Sequence, residues 1–249
     1  MGCQHRPTSL ERQVSGKAWS GREVEQQPLL DYVRQRTAVL ITAWGGIGCA
    51  SAIDARGYFL TSAHGLADGS EVLLVRFPGG PRLESERAQV VWLGGVEAGG
   101  PDLALLWVKR SLSAVFAWSP APEGGASVFV MGSQPHASPG PPATLLALSG
   151  RLSRVSVEAF REGGWRIEHD APLQPGDSGG PVVDSAGRLV AVSYATARRV
   201  ILPGVGWKLG AWAHRPRPEV IDRLIAEAEH RRRANDSLGA GAGGGRGGR

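Results

Sequence analysis

Cysteine, methionine and long apolar runs are scarce in this chain. Its 249 residues include two cysteines and two methionines. The cysteines, Cys3 and Cys49, cannot supply the several bridges of a disulfide-stapled domain. Stability must then come from a packed core, for which a hydrophobic content of 42% is sufficient. There is no run of about eighteen apolar residues, so no membrane-spanning helix is expected. The opening residues lack the apolar stretch of a secretory signal, and Arg6 stands where myristoylation favours Ser or Thr. Gly2-Cys3 is either ordinary exposed sequence or the remnant of a lipoprotein cleavage site. The six histidines and two cysteines show no zinc-ligand spacing, so neither metal nor cofactor is expected.

The net charge of +5 is confined to the ends. Residues 37–213 carry fourteen basic and fourteen acidic side chains, residues 1–36 carry six against four, and residues 214–249 carry eight against five. A neutral body argues against a specific nucleic-acid partner, and the basic ends read as solvated arms. Residues 1–36 are expected to form an arm with a short helix near 29–33. Residues 233–249, dominated by glycine, bury too little to fold and are expected to be disordered.

Between the ends, short β-like runs alternate with glycine and proline. Six fall at 39–42, 49–53, 58–61, 71–77, 89–93 and 103–108, with turn signals at 54–57, 68–69 and 78–80. A second set falls at 127–131, 144–152, 154–158, 165–169, 182–183, 189–194 and 206–212. Strands do not alternate with long helical patterns, which disfavours a parallel α/β sheet. The fold class is all-β, with two antiparallel barrels, one at about 37–112 and one at about 113–213. Pro218 and Glu219, followed by apolar residues at helical spacing, predict a short closing helix over about 217–230, packed on the second barrel.

The chemistry concentrates at Gly176-Asp177-Ser178-Gly179-Gly180-Pro181. Glycines on both sides of one serine let the main chain turn sharply and aim successive N–H groups at one cavity, which suits an oxyanion. A serine nucleophile needs a base and a carboxylate to orient it. His64 lies where the run 58–61 emerges, and Asp102 opens the apolar run 103–108, where a buried carboxylate requires a partner. Hydrogen bonding between Asp102 and His64 Nδ1 would leave Nε2 free for the Ser178 proton. His169, beside Asp170, is the rival base, but its nearness to Ser178 in sequence does not place it opposite the nucleophile. His136, His214 and His230 receive structural readings.

These pieces, 57–64, then 102–106, then 167–171 running into 175–181, occur in one order along the chain and together resemble the trypsin-like serine proteases of the HtrA/Deg type. The resemblance covers about residues 37–230. It implies Greek-key barrels with the active site in the cleft between them, a catalytic triad of His64, Asp102 and Ser178, and an oxyanion hole from the Gly176 and Ser178 N–H groups. Pro172 and Ser193-Tyr194-Ala195 would wall the substrate-binding pocket. With no carboxylate at the pocket base, small or medium aliphatic P1 side chains are preferred over Arg or Lys. Some such enzymes pair a cysteine near the position of Cys49 with one beside the histidine; here Gly65 takes that second place, and Cys49 becomes a small buried hydrophobe. Many relatives carry a PDZ domain after the protease, and this chain ends first. Polypeptide substrates, unfolded proteins among them, and a cell-envelope, periplasmic or secreted location are what the resemblance implies. A binding or scaffold module with an occluded cleft is the alternative.

Overall fold

In a computed structural model, residues 23–67, 69–76, 84–94, 101–120, 126–134, 144–156, 164–169, 173, 175–202 and 206–242 are described. Among them are twelve strands in two closed six-stranded barrels, every neighbouring pair antiparallel.

The first barrel comprises β1 (Thr37–Ile41), β2 (Ile47–Asp54), β3 (Tyr58–Thr61), β4 (Glu71–Arg76), β5 (Glu84–Leu93) and β6 (Ala104–Trp107), in the order β1-β2-β3-β6-β5-β4. The turn between β2 and β3 is set locally. The Asp54 carboxylate accepts the Arg56 N–H at 2.8 Å, and Gly57 takes a φ of 97°. A Cβ on Gly57 would run into the Val108 and Arg110 carbonyls, so only glycine fits.

Both faces of β3 are buried, which explains its unbroken apolar run. Phe59 points into the barrel with Leu74, Val90 and Leu106. Tyr58 and Leu60 point outward, and with Leu103 and Leu105 they meet Ile221, Leu224, Ile225 and Ala228 of the C-terminal helix. The i, i+3, i+4, i+7 spacing of those four residues makes one apolar stripe.

The second barrel is formed by β7 (Ser127–Gln134), β8 (Thr144–Ser156), β9 (Gly164–His169), β10 (Pro181–Val183), β11 (Leu189–Leu202) and β12 (Gly206–Pro216), in the order β10-β11-β12-β9-β8-β7. The run expected at 144–152 and the part of 154–158 up to Ser156 form one strand, β8, whose register shifts between Leu152 and Arg154; residues 157–158 lie outside the described residues. A bulge absorbs the break that Ser153 suggests.

Helix α1 (Glu23–Arg34) precedes the barrels and α2 (Pro218–Ala242) follows them. Val33 of α1 enters a cluster drawn from both barrels: Val39, Cys49 and Val75 from the first, Met131, Val183 and Leu189 from the second. Thr37 Oγ1 donates to the Val33 carbonyl at 2.8 Å, closing the end of α1.

Helix α2 departs from expectation in two respects. Its apolar stripe packs mainly on the first barrel, with Val192 of the second in the same cluster, because the outward side chains of β3 and β6 offer the complementary apolar face. Polar contacts reinforce this. Tyr58 Oη donates to Glu229 at 2.8 Å, and the Arg232 guanidinium lies 3.4 Å from the Trp107 ring centroid. The helix also runs beyond residue 230 to Ala242, through residues 233–242 of the stretch expected to be disordered. Residues 243–249 lie outside the described residues. No helix among the described residues is long and apolar enough to cross a membrane.

Candidate active site

Three segments converge between the barrels. The chain leaves β3 through Ser62 and Ala63 to His64, and Gly65, with φ of 83°, turns it back. Asp102 precedes β6, the hydrogen-bonded neighbour of β3, and is thereby brought beneath the histidine. Ser178 lies in the loop entering β10.

Asp102 is fastened by three donors. Oδ1 accepts the N–H groups of Ala63 at 2.7 Å and His64 at 2.8 Å, and Oδ2 lies 2.6 Å from His64 Nδ1. Burial pushes the Asp102 carboxyl up, but hydrogen bonds and the charge of His64 outweigh it and hold the group below the usual carboxylate range. The same hydrogen bond lifts the His64 imidazole above its ordinary value against the effect of burial. Bonding at Nδ1 fixes the tautomer and orientation of the ring. Nε2 faces Ser178 Oγ at 3.1 Å.

The serine loop is held from both barrels. Cys49 of β2 donates its N–H to the Ser178 carbonyl at 2.7 Å, while Gly179 N donates to the Ser193 carbonyl at 2.7 Å. Gly176 and Gly179 have φ of 102° and 84°. A Cβ on Gly179 would overlap the Cys49 carbonyl and Thr61 Oγ1, and one on Gly132 would overlap the buried Asp177 carboxylate. Glycine at 179 permits the close approach of the two barrels at the serine. Cys49 itself is buried and free of any disulfide.

The structure thus brings His64, Asp102 and Ser178 into one hydrogen-bonded line. A hydroxyl beside a neutral, oriented imidazole can act as a nucleophile toward an acyl carbon. Of the residues expected to wall the pocket, Pro172 lies outside the described residues, as do His136 and Asp170. Ser193 is buried, its backbone committed to Gly179 and Gly180. The Tyr194 carbonyl lies 3.4 Å from Ser178 Oγ, farther than the 3.1 Å to His64 Nε2. Ala195 follows on β11. His169 is buried on β9 opposite Ala211 of β12.

Two residues near the site were not singled out by their sequence context. Trp44, in the turn between β1 and β2, is 74% exposed, and its indole N–H reaches the Gly65 carbonyl at 3.5 Å. His214 of β12 accepts the Asp102 N–H on Nδ1 at 2.7 Å. The expected strand stopped at residue 212, whereas β12 runs on to Pro216, and nothing local pointed His214 to Asp102.

A family model for the trypsin-like peptidase domain matches residues 47–192. The chain is 30% identical over 186 residues to the uncharacterized protein y4bJ of Sinorhizobium fredii, a match covering 74% of this chain and 27% of that protein. It therefore spans about a quarter of that relative's length. Among solved structures it resembles the active form of the Rv3671c protease from M. tuberculosis, with a TM-score of 0.59 and 16% identity over 84% of this chain and 87% of the other. The HtrA-type protease AlgW with tripeptide gives a TM-score of 0.57 and 21% identity over 81% and 63%. At these identities the structural likeness is one of fold.

Proposed function

Since this chain belongs to the trypsin-like peptidase domain family, we propose that it is a serine endopeptidase that cleaves polypeptides through an acyl-enzyme on Ser178. The observation that carries this reading is the unbroken line from Asp102 Oδ2 to His64 Nδ1 at 2.6 Å and from His64 Nε2 to Ser178 Oγ at 3.1 Å.

Ser178 Oγ attacks the scissile carbonyl carbon as its proton passes to His64 Nε2. The imidazolium that forms is stabilised by Asp102, which keeps its negative charge. Negative charge on the carbonyl oxygen is met by the N–H groups of Gly176 and Ser178, donors of a type commonly worth about 3 kcal/mol each in the transition state. Collapse of the tetrahedral intermediate breaks the C–N bond, and His64 gives its proton to the leaving amine. Water then attacks the ester, losing a proton to His64, and the acid departs as Ser178 recovers its hydrogen. Every step is a proton or acyl transfer within this constellation.

By its resemblance to the family, we assign Pro172, Ser193, Tyr194 and Ala195 to the wall of the primary pocket. Lacking a carboxylate at its base, that pocket takes small or medium aliphatic P1 side chains. Unfolded polypeptides are the substrates most able to present an extended segment to such a cleft.

The test is fluorophosphonate labelling of the purified chain, with peptide mapping and Ser178→Ala as control. An adduct on Ser178 that is lost in the variant supports the reading. Absence of an adduct in folded protein, with and without added unfolded polypeptide, overturns it in favour of a binding module.

A further inference from the structure

Behind the triad, β12 pairs with β11 across a register shift. Ser193 faces Ala213 and Ala195 faces Trp212, so the register steps past Tyr194 between them. Such a bulge re-aims the extra side chain. Here the Tyr194 ring lies over His214, the centroids 4.0 Å apart and the planes tilted by 33°. A second ring, Trp212, stands 6.1 Å from Tyr194 and carries the Arg166 guanidinium at 4.8 Å.

Two of the contacts of His214 bear on the triad. Its ring face supports Tyr194, whose carbonyl lies 3.4 Å from Ser178 Oγ. Its Nδ1 accepts the backbone N–H of Asp102 at 2.7 Å. The Asp102 carboxylate is already occupied by Ala63, His64 and the His64 ring, so the backbone N–H is the remaining handle on this residue. An acceptor is needed there because the site is buried, with His214 4% and Asp102 6% exposed.

We propose that His214 is a positioning residue, which holds Asp102 in register with His64 through its Nδ1 and ties that register to Tyr194 at the cleft. Burial lowers the His214 imidazole to about 4, which keeps Nδ1 an unprotonated acceptor at neutral pH. The inference rests on the endopeptidase reading only for its kinetic readout.

Two substitutions separate the two engagements. His214→Phe keeps a ring against Tyr194 and removes the acceptor. His214→Asn places an amide oxygen near the Nδ1 position and removes the ring. With full-chain protein and a peptide substrate, His214→Phe is expected to lower kcat about 10- to 100-fold with KM nearly unchanged, as befits loss of alignment rather than of binding. His214→Asn is expected to keep kcat within about threefold and to raise KM, because Tyr194 loses its support. The second readout is independent of turnover: the downfield proton resonance of the His64 Nδ1–H···Asp102 bond, recorded in the Ser178→Ala background. It should weaken or move upfield in His214→Phe and persist in His214→Asn. A resonance and kcat that survive His214→Phe unchanged overturn the proposal, as does an Asn variant that falls as far as Phe. If the unmodified chain fails to hydrolyse peptides, the endopeptidase reading falls and the resonance alone decides the role of His214.

Discussion

Cys49 and Ser178 are joined by one backbone hydrogen bond of 2.7 Å, and it crosses from the first barrel to the second. The Ser178 carbonyl is thereby held by β2, the hairpin partner of the strand that leads to His64. The position of Ser178 relative to His64 is a property of the seam between barrels, not of the serine loop alone. Gly48 shares this arrangement, since a Cβ there would stand 3.0 Å from the same carbonyl.

Gly179→Ala should therefore damage the site and the fold together. The new methyl would enter the Cys49 carbonyl and Thr61 Oγ1 at a φ of 84°. Left-handed strain and overpacking together should cost about 3 kcal/mol. A lower urea midpoint and a lost fluorophosphonate adduct at Ser178 are the expected results.

The pH dependence of catalysis has a defined direction. His64 must be neutral to accept the serine proton, and its hydrogen bond to Asp102 raises its pKa above the ordinary value of 6.5. The acid limb of kcat/KM should have its midpoint above that value, since this parameter reports the free enzyme. Asp102→Asn should move the limb to lower pH and cut kcat by about 10⁴-fold by favouring the wrong tautomer. A rate profile over pH 4–9 checks both.

Stability should respond to pH through His214, whose pKa shift is opposite in sign to that of His64. Burial lowers this group from 6.5 in the unfolded chain to about 4 in the folded one. Between those values the unfolded chain binds the extra proton, so folding weakens as pH falls from 6.5 to about 4, by about 3 kcal/mol in all. His64 works the other way: its pairing with Asp102 is fully present below 6.5 and fades as pH rises through its elevated pKa. Urea denaturation at pH 7 and pH 4.5 should show the loss, and His214→Asn should reduce the difference.

The C-terminal helix should be integral to the first barrel. Ile225→Ala removes a side chain that is 1% exposed against Tyr58, Leu60 and Leu105, at an expected cost of about 3 kcal/mol. Arg232→Ala removes the Trp107 ring contact and the Glu229 pairing, at an expected cost of about 1 kcal/mol. Equilibrium unfolding should show a single transition for both, with tryptophan fluorescence following the Trp107 contact.

Much of the site was legible because its signals are local. The glycines around Ser178, the strand end before His64 and the apolar run after Asp102 each state their own backbone geometry. The start of β5 was not legible: Glu84, Ser85, Glu86 and Arg87 carry no β pattern, yet they pair with β4 through Arg76↔Glu84 to Leu73↔Arg87. Pairing in the closed barrel and ion pairs from Arg110 to Glu84 and Glu86 supply what propensity does not. The seat of α2 was illegible for a related reason. Its stripe is readable, but the choice of barrel depends on which outer face is apolar once the strands have paired. His214 depends on a bulge in a neighbouring strand, and no window of local sequence contains both.

The two ends of the chain are laced crosswise. Leu29 and Tyr32 of α1, which comes first, pack near Gly187 in the turn of the second barrel, whereas α2, which comes last, covers the first. During synthesis neither half can finish alone. The apolar side of α1 stays uncovered until the chain has reached Leu189, and the outer faces of β3 and β6 stay uncovered until it has reached Ala228. Contacts this distant in sequence are slow to close and are made together. The cleft between the barrels is therefore assembled only after the chain has been made through Ala228.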